Sequence, residues 1–387
     1  MNSKQVMEIE KNCVMQTYGR YPVALRCGRG VVLYDFEGKE YIDFASGIGV
    51  NSVGYANEKW ISAVVKQAGL LQHVSNLYYT EPMARLAERL TALTGMSRVF
   101  FSNSGSEANE GAIKLARKYS FDKYGMGRSK IISLINSFHG RTISTLAATG
   151  QDVFHNYFFP FTEDFAYVPA NDIKALQNEM TENTCAVIIE LVQGEGGVLP
   201  LERDYVKAAY ELCRKNDVLF LADEVQTGVG RTGTFFAFQG CGITPDVVTA
   251  AKGLGGGLPI GAVIAAEKVG SVLSAGTHAS TFGANPISCA AANAVLDIVT
   301  GEGFLIEVSE KGKYIKVRIK EWGCSKVLGV RGLGLMLGVE VPTEYGEHKA
   351  LVAKMAKEGL LALTAGKNVI RLLPPLTISY EEIDSGL

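Results

Sequence analysis

Three stretches of this 387-residue chain end an apolar run on side chains able to do chemistry. In VFFSNSGSEANEGAIKLAR, an apolar strand gives way to Ser104, Gly105 and Ser106, and the residues from Glu107 onward read as a helix. Free N–H groups at a helix start, with small hydroxyl side chains beside them, form a cup for a phosphate. The same residues equally read as a helix cap, with Ser104 and Ser106 as caps and Glu110 completing a partial capping box. In VLFLADEVQTGVGRTG, Asp223 closes a strand at the edge where ligands of open α/β sheets gather. A carboxylate there either meets a cation or caps the following loop. In DVVTAAKGLGGGLPIGAVIA, Lys252 ends a further strand before a glycine-rich loop. It is either a solvated lysine or one whose amine is kept neutral by desolvation and can condense with a carbonyl.

Each stretch alone leaves both readings open. Together they supply a phosphate anchor, an acid and an amine along the carboxyl edge of one sheet. Those are the parts that pyridoxal phosphate requires: the acid faces the pyridine nitrogen and the amine meets the aldehyde. Lys252 could then move a proton at the substrate carbon once an incoming amine displaces it. GVGRTG is not a dinucleotide fingerprint, because no helix-forming run follows it. The GxxxxGK[ST] signature of a nucleotide loop is missing from the Ser104 site.

These residues need a scaffold, and the apolar bursts supply one. They fall at Arg98–Ser102, Lys130–Ile135, Ala186–Leu191, Val218–Ala222, Asp246–Ala251 and Gly261–Ala265, with helix-like segments such as Glu107–Tyr119 and Arg203–Lys215 between them. Short buried strands alternating with helices predict an α/β fold, a mainly parallel, doubly wound sheet covered on both faces. A hairpin is expected around Asp35 to Lys39, an alanine-rich helix over Pro286–Val299, strands near Gly329–Val341, a helix over His348–Glu358 and the start of another at Ile383. The expected division is residues 1–56 joining a small α+β domain, 57–284 as the large domain and 285–387 as the rest of the small one.

Composition narrows the function classes. A formal net charge of -2 offers no basic field for nucleic acid or an anionic membrane. No apolar run approaches the ~20 residues of a membrane helix, and the polar N-terminus lacks a secretory h-region. The seven scattered cysteines form no CxxC and no zinc-ligand spacing with histidine, so no metal is expected and reduced thiols in the cytoplasm are.

With SNSGSEANE, SFHGRT, LVQGEGG, LADEVQTGVGRTG, AAKGLGGGLPIGA and STFGANP in one chain, the sequence resembles the class III aminotransferases of the pyridoxal-phosphate fold type I, from about Tyr18 to the end. The resemblance implies a large domain with a mainly parallel seven-stranded sheet, a smaller α+β domain, and a homodimer with shared active sites. It implies phosphate binding by Ser104, Gly105 and Ser106, with Thr281 arriving from the partner subunit. Phe138 and Val225 would cover the two ring faces, Asp223 would pair with the ring nitrogen, and Gln226 would bond the 3′ oxygen. His139 would help pack the ring site rather than act as a base, and Glu190 would be among the cofactor-binding residues. On the substrate side come Arg141 for a carboxylate, Ser280, and Arg371 for the α-carboxylate of glutamate or 2-oxoglutarate, with Glu195 neutralising Arg371 when the longer amine binds. Tyr18 would either reach the substrate end or pack on the core.

Within the family, YPVAL, DFASGIGVNSVG, HVSNLYY and GKNVIRLLPPLTIS point to transfer of the δ-amino group of N-acetylornithine to 2-oxoglutarate, a step of arginine biosynthesis. Succinylornithine, ornithine and 4-aminobutyrate are sister substrates that share every cofactor residue, and a non-catalytic protein of this fold is the reading from another class. The chain departs from the family pattern at Leu191, where proline is usual, at Phe282 and Ala284, and at GYANEKW, which lacks the usual histidines. Gly47 leaves room suited to an acylated substrate. Phe158, Phe159 and Phe161 read as core or interface.

Overall fold

The computed structural model describes residues 1–343 and 348–387. Its centre is a seven-stranded sheet made of Arg98–Ser102 (β1), Lys130–Leu134 (β2), Phe165–Val168 (β3), Thr184–Glu190 (β4), Leu219–Asp223 (β5), Val247–Ala250 (β6) and Gly261–Ala265 (β7). The spatial order is β1-β7-β6-β5-β4-β2-β3. β7 runs antiparallel to β1 and β6, and the other neighbours are parallel. Every residue of β4, β5, β6 and β7 is buried, as expected for strands covered on both faces. Six of the seven strands are legible as apolar bursts. β3 is not: it is a four-residue edge strand with only Val168 buried, so its pattern is not continuously apolar.

The parallel strands deliver their carboxyl ends to one edge, and the loops that follow carry the chemistry. The register sets Asp223 directly beside Glu190 on one side and Thr249 on the other. The helix after β1, Gly105–Tyr124 (α1), lays Ala108, Asn109, Ala112, Ile113, Leu115 and Ala116 against the sheet. Ser104 caps it, its Oγ accepting from Glu107 N at 3.2 Å. The returning carboxylate is that of Glu107, which accepts from Asn103 N at 2.7 Å, not that of Glu110. Glu110, nearly a turn further into the helix than Glu107, instead accepts from Thr142 Oγ1 at 2.6 Å.

Outside the large sheet, Leu25–Arg29, Val32–Asp35 and Glu40–Asp43 form an antiparallel meander, and Leu360–Leu361 adds to it in parallel. Asp35 Oδ1 ties the expected hairpin by accepting from Glu37 N and Lys39 N. A second four-stranded sheet orders Gly329–Leu333, Met336–Glu340, Val369–Leu372 and Leu363–Ala365, all antiparallel. The helices Pro286–Val299 and His348–Glu358 begin and end as their patterns suggest, and the last helix spans Tyr380–Gly386. Among the described residues no single helix is long and apolar enough to cross a membrane.

Candidate active site

At the carboxyl edge of the sheet lies a cavity of about 330 Å³ walled by Ser104, Gly105, Ser106, Phe138, His139, Glu190, Asp223, Val225, Gln226 and Lys252. Each wall element has a local cause. Gly105 packs closely on Val225, where a Cβ would come within 2.6 Å of Val225 Cγ1. The N–H groups of Gly105 and Ser106, at the open end of α1, have no acceptor among the described residues, so the helix start faces the cavity with unsatisfied donors. Lys252 sits at φ +43°, a conformation that non-glycine residues hold only under constraint. Burial pushes its amine below the ordinary 10.5, with Arg371 adding to the effect and Glu195, Asp223 and Glu190 opposing it.

Behind the cavity, donors converge on Asp223. Its Oδ2 accepts from Asn109 Nδ2 and His139 Nδ1, each at 2.7 Å, and its Oδ1 accepts from Val225 N at 3.0 Å. A carboxylate only accepts, so His139 Nδ1 carries the proton. His139 Nε2 meets Ser133 Oγ at 3.1 Å, which fixes the ring from both sides. Asn109 is itself oriented by Thr249 Oγ1, which donates to its Oδ1 at 2.7 Å. Asn109, Ser133 and Thr249 escaped the sequence reading. The available signal was a polar residue on the otherwise apolar face of α1. Glu190 accepts from Phe138 N at 2.8 Å and Gly194 N at 3.2 Å. Burial and the neighbouring Asp223 push its carboxyl up to about 7, with His139 and the two N–H donors working against them.

The residues expected on the substrate side are less closely gathered. Arg371, on Val369–Leu372, donates through Nη1 to Glu195 Oε1 at 2.6 Å and to Gln226 Oε1 at 3.0 Å. Gln226 therefore spends its carbonyl on Arg371, leaving its amide N–H groups for the cavity. Arg141 is exposed, its guanidinium 4.2 Å above the Phe154 ring and 5.5 Å from that of Phe138. Ser280 Oγ accepts from Asn103 Nδ2 at 3.2 Å, at the rim. Thr281 is exposed on the same loop and does not line this cavity. Tyr18 is 73% exposed and lines a separate cavity with Arg20 and Tyr21, so it neither enters the lysine pocket nor joins the core. Among the described residues no three His, Cys, Asp or Glu side chains cluster as metal ligands.

This geometry has known counterparts. The family model "Aminotransferase class-III" matches residues 14–387. The chain belongs to the class III aminotransferases. It is 53% identical to an acetylornithine aminotransferase of Haemophilus ducreyi, over 100% of this chain and 98% of that protein. The crystal structure of an ornithine aminotransferase from Toxoplasma gondii superposes with a TM-score of 0.96 at 32% identity, covering 100% of this chain and 93% of the other. An acetylornithine aminotransferase from Elizabethkingia anophelis gives 0.88 at 33%, covering 100% and 97%. The cofactor of a class III aminotransferase is pyridoxal 5′-phosphate, and the pocket fits it. Among the described residues, two unpaired N–H groups suit the phosphate, a fixed carboxylate suits the ring nitrogen, and an amine without a hydrogen bond suits the aldehyde.

Proposed function

We propose that this enzyme moves the δ-amino group of N-acetylornithine to 2-oxoglutarate, giving the semialdehyde and glutamate in arginine biosynthesis. The carrying observation is that Lys252, Asp223 and the open start of α1 wall one cavity. The identity of 53% to an acetylornithine aminotransferase supports the acetylated substrate over ornithine, succinylornithine or 4-aminobutyrate.

Bound pyridoxal phosphate supplies an aldehyde for the amine and a protonated ring that draws off the electron pair freed at the substrate carbon. Gly105 and Ser106 would hold its phosphate, with Ser104 fixing the helix start and Thr281 of a second copy adding a hydroxyl. Asp223 would face the ring nitrogen, Phe138 and Val225 the two ring faces, and Gln226 the ring oxygen. His139 and Glu190 brace this wall from behind. Lys252 Nζ, its basicity lowered by burial, accepts the proton from the substrate carbon that bears the amine.

Substrate selection falls to the charged groups. With Glu195 in place, Arg371 is neutralised and the pocket accepts the N-acetylornithine chain. With Glu195 displaced, Arg371 offers a guanidinium to the α-carboxylate of glutamate or 2-oxoglutarate, and Arg141 takes the other carboxylate at the mouth, beside Ser280.

The working enzyme is a homodimer in this account. Leu77, Tyr78, Tyr79, Tyr157, Phe158, Phe159 and Phe282 are exposed in the single chain, too much apolar surface to leave in water. The two small sheets together, 1–56 with 285–387, act as the small domain against 57–284. All seven cysteines are unpaired, which suits the cytoplasm. Steady-state comparison of N-acetylornithine, succinylornithine, ornithine and 4-aminobutyrate tests the substrate. A higher kcat/KM for ornithine would overturn it, and a protein that takes up pyridoxal phosphate but transfers no amine would be a binding protein instead.

A further inference from the structure

Glu195 is held by the same hairpin at both ends. Its carboxylate meets Arg371 on the outgoing strand Val369–Leu372, and its backbone carbonyl accepts from Gly366 N, at the turn after Leu363–Ala365, at 2.8 Å. Two residues further on, the carbonyl of Gly197 accepts from Arg331 Nε at 3.0 Å. Arg331 is in turn oriented by Glu340, which accepts from its Nη1 at 2.6 Å. The fit leaves little room: Gly366 stands at φ +54°, and a Cβ there would come within 2.9 Å of the Gly196 carbonyl.

We infer that Arg331 and Gly366 are positioning residues, a backbone clamp on residues 195–197 that lets the Glu195 side chain leave and return without moving its main chain. This rests on the two-state use of Glu195 proposed above. Gly366 and Arg331 both donate to backbone carbonyls, those of Glu195 and Gly197, so the clamp holds the peptide and leaves the carboxylate alone. Glu195 must return to one place to neutralise Arg371, whereas a substrate carboxylate brings its own geometry. Loosening the clamp therefore harms the half-reaction that needs Glu195 in place and spares the one that needs it away.

The test uses the holoenzyme and measures the two half-reactions separately, with N-acetylornithine and with glutamate. Arg331→Met keeps the stem and removes the donors. The ratio of kcat/KM for N-acetylornithine to that for glutamate should fall roughly fivefold to tenfold, carried by KM for the amine. Arg331→Lys, with a point charge in place of the fork, should move it the same way by less. Gly366→Ala, if the methionine variant fails to fold, should also lower it. A purely structural role would depress both half-reactions together, and an unchanged ratio in all folded variants overturns the clamp. A wild type that does not use both donors would instead overturn the substrate reading, so the two failures are distinguishable.

Discussion

Arg371 and Glu195 form a 2.6 Å ion pair whose two ends live in different surroundings. The Arg371 side chain is 3% exposed and also bonded to Gln226, while that of Glu195 is 28% exposed. The carboxylate is thus the end free to leave. In the proposed switch, the cation left behind is buried, with its Nε already lacking a partner among the described residues, and needs another anion.

Replacing Glu195 with glutamine removes the charge and keeps the shape. Arg371 is then unneutralised whichever donor arrives. N-acetylornithine should lose about tenfold or more in kcat/KM, and glutamate should keep or gain efficiency. Pre-steady-state rates with each donor alone check this.

Arg371→Met should instead cost glutamate and 2-oxoglutarate on the order of a hundredfold in kcat/KM, since a buried pair loses its cation at the moment of binding. Arg371→Lys should recover only part, because one ammonium cannot match a bidentate carboxylate contact. Saturation kinetics in 2-oxoglutarate at fixed amine are the measurement.

Gly105→Ala puts a methyl 2.6 Å from Val225 Cγ1 and should drive that side chain into the cavity. Cofactor affinity, read by titrating pyridoxal phosphate into the apoenzyme, should fall about tenfold. Gly105→Ala with Val225→Ala should recover most of it, a coupling expected only for residues in contact.

Glu224 gives a pH prediction. Burial and the neighbouring Asp223 push its carboxyl up to about 7 from an ordinary 4.5, against the Thr227 hydroxyl and the N–H groups of Ala237 and Phe238 that donate to it. A raised carboxyl contributes stability that is fully present below about 4.5 and lost as pH rises through about 7. Glu224→Gln loses an acceptor at every pH but cannot titrate. Its melting temperature relative to wild type should therefore improve steadily from pH 5 to pH 8.

Much of this site is legible in the sequence because its parts are contiguous. Ser104–Ser106, Asp223 and Lys252 each follow an apolar strand, so a parallel sheet brings them to one edge with no further information. What was hidden depends on contacts between distant segments. The Asn109–Asp223–His139–Ser133 network joins α1, β5 and the loop and strand around β2, and no local pattern marks those pairings. Gln226 bonding to Arg371 and Gly366 bonding to the Glu195 carbonyl likewise arise only when the C-terminal hairpin docks. Glu110 misled as a cap because Ser-x-x-Glu spacing fits Glu107 from Ser104, while Glu110 is spoken for by Thr142. Tyr18 stands apart in the single chain, its ring stacked with Arg20 rather than near Lys252.

The central claim is that Lys252 is the amine that engages the cofactor. Pyridoxal phosphate added to the wild-type apoenzyme should produce an absorbance band near the visible edge that responds to N-acetylornithine. Lys252→Ala should lack that band and lose roughly a thousandfold or more in kcat. A wild type that stays colourless with pyridoxal phosphate, or an alanine variant that keeps both the band and the turnover, would contradict the account.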